Sequence, residues 1–232
     1  MKLRPSSAFT LIEMLTVMAV IAILASLIVA VNAFAHKKAA TVRAEAEIKT
    51  MIAACESYKG DFGGYPRDLG ETGNGSGSWT DKLDARKDGD PNDAKRGYHD
   101  ACLFLYKAIS GDAKPGVDAT TPPTRTDKPD GKPETKGYCE FRPDQLSKNS
   151  SGEIRFIQDA FGNSYGYSTA GAEVEEDYRK KLQSDPTAKR PIEDVKGYSP
   201  NFDLWSTAGV INKTAKSEGE LNPDRKRWIK NW

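Results

Sequence analysis

The sequence predicts an α+β protein: one long N-terminal α-helix, half of it apolar and of membrane length, packed through its second half on a small antiparallel β-sheet head with long loops. Three observations carry this expectation. Neither Gly nor Pro occurs from Ala8 to Lys59, so nothing interrupts a helix there. No charged residue occurs from Met14 to Ala35, a run that can span the roughly 30 Å hydrocarbon core of a bilayer. Further on, Ile154-Arg155-Phe156-Ile157 reads as a strand, and Gly162-Asn163 between aromatic residues reads as a tight turn between strands.

The elements follow in order. Residues 1–8 form a short basic leader (Met1, Lys2, Arg4) ending in the small residues Ser6, Ser7 and Ala8. Residues 9–35 form the apolar segment, with Glu13 near its head. A carboxylate at that place is costly among lipid tails and marks a functional residue. Residues 36–60 continue the helix with a narrower apolar stripe of Val42, Ala46, Met51, Ile52, Cys55 and Tyr58. Arg43, Glu45, Glu47, Lys49 and Glu56 take the other positions. The whole helix is expected to end near Lys59, about 75 Å from its start at 1.5 Å per residue.

Residues 61–232 then make the head. Gly60-Asp61-Phe62-Gly63-Gly64 stops the helix and Tyr65-Pro66 opens a turn. Loop insertions are expected at about 70–97 (with Trp79 as its anchor), at the proline-rich 110–137, and at the charged 173–196. Between the first two, residues 100–109 read as a short buried helix with Ala101, Leu103, Phe104 and Ile109 inward.

Several of these strings bear a resemblance. Phe9-Thr10-Leu11-Ile12-Glu13 resembles the class III signal of type IV prepilins and pseudopilins. The resemblance implies that a prepilin peptidase cuts between Ala8 and Phe9 and methylates the new amine. The family usually has Gly before the cut; here the small residue is Ala8. Glu13 becomes the fifth mature residue, the acid that sets an incoming subunit in register against the N-terminal amine of a neighbour. Tyr58 to Pro66 is similar to the Y-x-x-D-x-G-x-Y-P signature of the major (G-type) pseudopilin of type II secretion. Asp159 to Tyr167 resembles that family's D-x-[WF]-G-N-x-Y-x-Y hairpin. Phe202-Asp203-Leu204-Trp205-Ser206-Thr207-Ala208-Gly209 resembles its F-D-L-x-S-x-G strand and loop, and Ile229 to Trp232 its closing I-x-x-W.

The resemblance implies a pilin fold and a structural, non-enzymatic subunit of the secretion pseudopilus. Its implied partners are further copies of itself in a helical homopolymer, minor pseudopilins, the prepilin peptidase and an inner-membrane assembly platform. The implied location is the bacterial inner membrane, single-pass, with the N-terminus cytoplasmic and the head periplasmic. Two other readings stand beside it. One is a type IV pilin of a surface fibre for adhesion or DNA uptake. The other is a Sec-exported periplasmic binding domain cleaved after Ala35, for which Ala33-Phe34-Ala35 supplies an A-x-A site.

Composition and site chemistry bound these readings. The chain is formally +1, so nucleic acid is not expected as a partner. Its mean hydropathy is −0.64 despite the apolar N-terminus, so the remainder is strongly polar. With two histidines and no nucleophile, metalloprotease or nucleotide fingerprint, no enzyme class is supported. Of the three cysteines, Cys102 and Cys139 are a candidate disulfide in an oxidising compartment and Cys55 reads as a buried thiol; the count leaves one over in any pairing. The major pseudopilin resemblance also implies calcium in the last loop. The matching positions are the Leu204 carbonyl and Ser206, with Asp224 as a substitute acid; the alternative is a loop held by packing of Trp228 and Trp232.

Overall fold

The computed structural model describes residues 10–68, 79–86, 89–93, 97–112, 136–190, 196–210 and 227–232. The chain divides into two compact units, Met1–Ala40 and Thr41–Trp232. Helix α1 (Leu11–Phe62) contributes to both.

In the first unit, α1 begins on a reciprocal cap. The Glu13 backbone N–H donates to Thr10 Oγ1 (3.3 Å), and Glu13 Oε2 accepts from the Thr10 backbone N–H (2.8 Å). Thr10 and Glu13 thus satisfy each other's free groups at the helix start, a capping box. Beyond the cap, the window Leu11–Ile28 is long and apolar enough to cross a membrane, and none of it is buried within the chain. Its leucines, isoleucines, valines and methionines are exposed on every side of the helix. A helix apolar all round and bare to solvent requires lipid or other apolar helices as its surroundings.

In the second unit, α1 buries Ala44, Ile48, Met51, Ala54 and Cys55, at the three- and four-residue steps of one helix face. That face is turned from the expected stripe: Val42 and Ala46 are exposed, and Glu47 is buried. The helix also runs past Lys59 to Phe62. Gly60 stays helical, and the stop falls on Gly63, whose φ of 77° is left-handed and whose N–H donates to Lys59 O (2.8 Å). Glycine fits this position because it lacks the Cβ that penalises the conformation.

Against α1 pack α3 (Tyr98–Ser110) and the strands, after a short α2 (Trp79–Lys82). The inward face of α3 is Ala101, Cys102, Leu105, Tyr106 and Ile109; Leu103 and Phe104 are only half-buried. A 3₁₀ turn at Pro143–Gln145 leads into β1 (Leu146–Lys148), antiparallel to β2 (Ile154–Ile157). A separate sheet has the order β3 (Gly166–Ser168), β4 (Asp203–Ser206), β5 (Ile229–Lys230), all antiparallel. The expected turn joins the two sheets rather than closing one hairpin. Asp159 Oδ1 accepts from the N–H groups of Phe161 and Asn163 (both 2.9 Å), and one bridge links Gln158 to Ser164.

The region expected to be a charged excursion at 173–196 is helical in its first half: α4 spans Ala170–Ser184. Its polar surface is held by charge pairs rather than by an apolar stripe. Glu175–Arg179 (3.2 Å) and Glu176–Lys180 (2.7 Å) lie one turn apart, and Arg67 reaches Glu176 from afar (2.6 Å). The core proper joins α1, α3, β2, β3 and β4. A second cluster gathers Leu83, Ala85, Tyr98, Ala101, Trp205 and Trp228, with Trp232 against it.

Candidate functional site

The N-terminal site is built by α1. Ala8 and Phe9 lie outside the described residues. Glu13 sits in the first turn, where its Oε2 accepts from both the N–H and the hydroxyl of Thr10 (2.8 Å each). Its Oε1 has no partner among the described residues. The carboxylate is therefore oriented by its own helix through Oε2, with Oε1 unengaged among the described residues. Every side chain of the apolar window that follows is open to other molecules.

In the second unit, the buried Glu47 is a hub that sequence periodicity did not reveal. It accepts from Arg43 Nε (2.8 Å), Arg142 Nη2 (3.2 Å) and the Tyr165 hydroxyl (2.7 Å). Arg43 also reaches Asp144 (2.6 Å). Burial, then the bond to Glu47, pushes the Tyr165 phenol well up. Glu47 is tolerated here because two arginines and a hydroxyl engage both of its oxygens. The helix end is tied to the head by the 58–66 string. Asp61 accepts from Tyr138 Oη (2.7 Å) and Lys136 Nζ (3.0 Å), the Tyr65 hydroxyl donates to Glu56 (2.9 Å), and the Tyr167 hydroxyl donates to the Pro66 carbonyl (2.5 Å).

The calcium expectation names Leu204, Ser206 and Asp224, and Asp224 lies outside the described residues. The other two are engaged within the protein. The Leu204 carbonyl accepts from Asn231 N–H (3.2 Å). The Ser206 hydroxyl donates to the buried Asp159 Oδ2 (2.5 Å) and accepts from Ala208 N–H (3.0 Å). Calcium needs six to eight oxygens, and no group of three His, Cys, Asp or Glu suited to a metal gathers among the described residues. The loop between residues 210 and 227, which would supply the remaining oxygens, lies outside the described residues. What organises this end of the head is aromatic packing. Trp205 lies parallel to Trp228 (centroids 6.4 Å, 11°) and edge-on to Trp232 (5.8 Å) and Tyr98 (5.4 Å).

The candidate disulfide pair, Cys102 and Cys139, stands as two free thiols, as does Cys55. Cys102 Sγ is occupied by the Ile157 peptide, accepting from its N–H (3.3 Å) and facing its carbonyl (3.6 Å).

Asp203 gives the head a pH dependence. Its carboxylate accepts from the N–H groups of Tyr198 and Ser199 (2.8 Å each), yet burial outweighs them, and with Asp84 nearby its pKa is pushed up to about 6. A carboxyl whose folded value exceeds its unfolded one binds its proton more tightly when folded. This contribution is therefore greatest below about pH 4 and is lost as pH rises to about 6, amounting to about 3 kcal/mol at 1.36 kcal/mol per unit. Urea titrations of wild type and Asp203→Asn between pH 4 and 7 check it. The wild type loses this increment and the variant does not; equal slopes would place the titration elsewhere.

A bare apolar helix of membrane length, joined to a polar head of helices and small antiparallel sheets, fits a membrane-anchored subunit and is consistent with the pilin fold. Residues 3–29 match the family described as prokaryotic N-terminal methylation motif, which is typical of type IV pilin-like proteins. No match to a curated protein or to a solved structure was found.

Proposed function

We propose that this chain is a pseudopilin, a structural subunit of a type II secretion pseudopilus. The observation that carries the reading is the apolar window Leu11–Ile28, wholly unburied and headed by the single acid Glu13, inside the matched methylation motif. In this reading the peptidase cuts after Ala8 and frees the amine of Phe9. The free Oε1 of Glu13 then pairs with the amine of a neighbouring copy. That attraction is strong in a low dielectric and fixes the axial step of the incoming subunit. The apolar helices bundle as the filament core and the heads coat it. Minor pseudopilins, an inner-membrane platform and a cytoplasmic ATPase complete the machine. The subunit spans the inner membrane once, with its head in the periplasm, until it is drawn into the filament.

The resemblance of the strings at 58–66, 159–167 and 202–209 to those of the major pseudopilin supports secretion over a type IV pilus; in the head they form the helix stop, an inter-sheet turn and the central strand. Deleting the gene tests the choice. Secretion predicts folded cargo proteins retained in the periplasm with surface fibres unchanged. Loss of fibres with secretion intact would support the pilus reading instead.

A further inference from the structure

We propose that Cys55 and Cys139 form a disulfide that fastens the last turns of α1 to the segment at 136–142. The inference rests on the reading above that the head is exported to an oxidising compartment.

The geometry begins with one face of α1. Cys55, Tyr58 and Asp61 follow at three-residue steps and so line the same side of the helix. That side receives Lys136 and Tyr138: the Tyr58 and Tyr138 rings meet edge to face (5.8 Å), and Asp61 binds Tyr138 and Lys136. Tyr138 and Cys139 are held in place, both donating their N–H to the Ile109 carbonyl (2.7 and 3.0 Å). Cys139 packs, half-buried, on the core cluster that contains Cys55, and the two thiols lie within electrostatic range of each other. The other sulfur, Cys102, is engaged by the Ile157 peptide. Of the three cysteines, Cys55 is thus the partner that the packing offers to Cys139.

The chemistry requires a small-molecule or protein disulfide as oxidant. Cys139 is the accessible entry. Its thiolate attacks one sulfur of the oxidant, forming a mixed disulfide and releasing the first oxidant thiolate. Cys55 then loses its proton and attacks Cys139 Sγ, expelling the second. Two protons and two electrons leave the head, and the oxidant disulfide becomes a dithiol. Burial pushes the Cys55 thiol up, so the second step occurs during folding or when the contact of α1 with 136–139 opens. The bond closes the chain across α2 and α3, so a pull on α1 is passed directly to the segment at 136–142.

The test uses the purified full chain in detergent, exposed to oxidised glutathione, alkylated and mapped by mass spectrometry. The expected result is a Cys55–Cys139 linked peptide, with Cys102 alkylated, and the same link in Cys102→Ser. A Cys102–Cys139 link, or three alkylated thiols, would overturn the proposal. This readout does not depend on where the head resides. Labelling intact cells with a membrane-impermeant reagent at introduced surface cysteines tests export separately, so failure of the bond and failure of the secretion reading are distinguishable.

Discussion

Trp205→Ala is expected to remove about 3–5 kcal/mol from the stability of the head, the usual cost of emptying a site of this size. Domains of this kind hold only about 5–15 kcal/mol in total, so the variant sits near unfolding at 37 °C. Trp205 is wholly buried, and its ring fills the space that Gly166 leaves on the neighbouring strand. A methyl at Gly166 would lie 2.2 Å from Trp205 ring carbon. The indole Nε1–H also donates to the Gly89 carbonyl (3.0 Å), tying the segment at 89–93 to β4. Trp205→Phe keeps part of the apolar contact but leaves that carbonyl unmatched, so a smaller loss is expected. Denaturation midpoints of the two variants give the check. A loss under about 1 kcal/mol in Trp205→Ala would mean that the tryptophan cluster is not what holds β3, β4 and β5 together.

The second large effect is on assembly. Glu13→Ala removes both the cap on Thr10 and the charge available to a neighbour; Glu13→Gln removes only the charge, because Gln also serves at the third position of a capping box. If the charge sets the register, both variants lose assembly, by about a hundredfold. Cleavage of the leader should persist in both. If Glu13 merely caps its helix, Glu13→Gln assembles normally and Glu13→Ala is only weakly impaired. Quantifying sheared filaments against total membrane-bound subunit separates the two roles.

What the sequence disclosed, and what it hid, follows from the range of the interactions involved. The unbroken helix was legible because absence of Gly and Pro is a local property, as were the glycine stop, the buried α3 and strand β2; β4 was legible through the F-D-L-x-S-x-G resemblance, and β5 was not read as a strand. The orientation of α1 was not. Glu47 is charged, and periodicity places a charged residue outward; the partners that allow its burial, Arg142 and Tyr165, stand 95 and 118 residues away. Helix α4 escaped for a related reason. Its composition is that of a polar loop, and only Ala170 and Gly171 are buried. The contact that docks it, Arg67 to Glu176 alongside the buried Asp81, joins residues far apart in the chain. At the candidate site, Glu13 was legible as the odd acid in an apolar run, whereas its dual engagement with Thr10 depends on the side-chain geometry of the first turn. The calcium expectation followed motif positions; the hydrogen bond from Ser206 to Asp159, 47 residues away, is a long-range contact that no motif position discloses.

The central claim, that the chain is processed as a prepilin and enters a filament through its N-terminal helix, is tested most directly by the intact mass and N-terminal residue of the mature protein. The account predicts a chain beginning at Phe9 with one added methyl group on its amine. A chain beginning at His36 would contradict it, leaving an exported head without the helix segment to which the filament role is assigned.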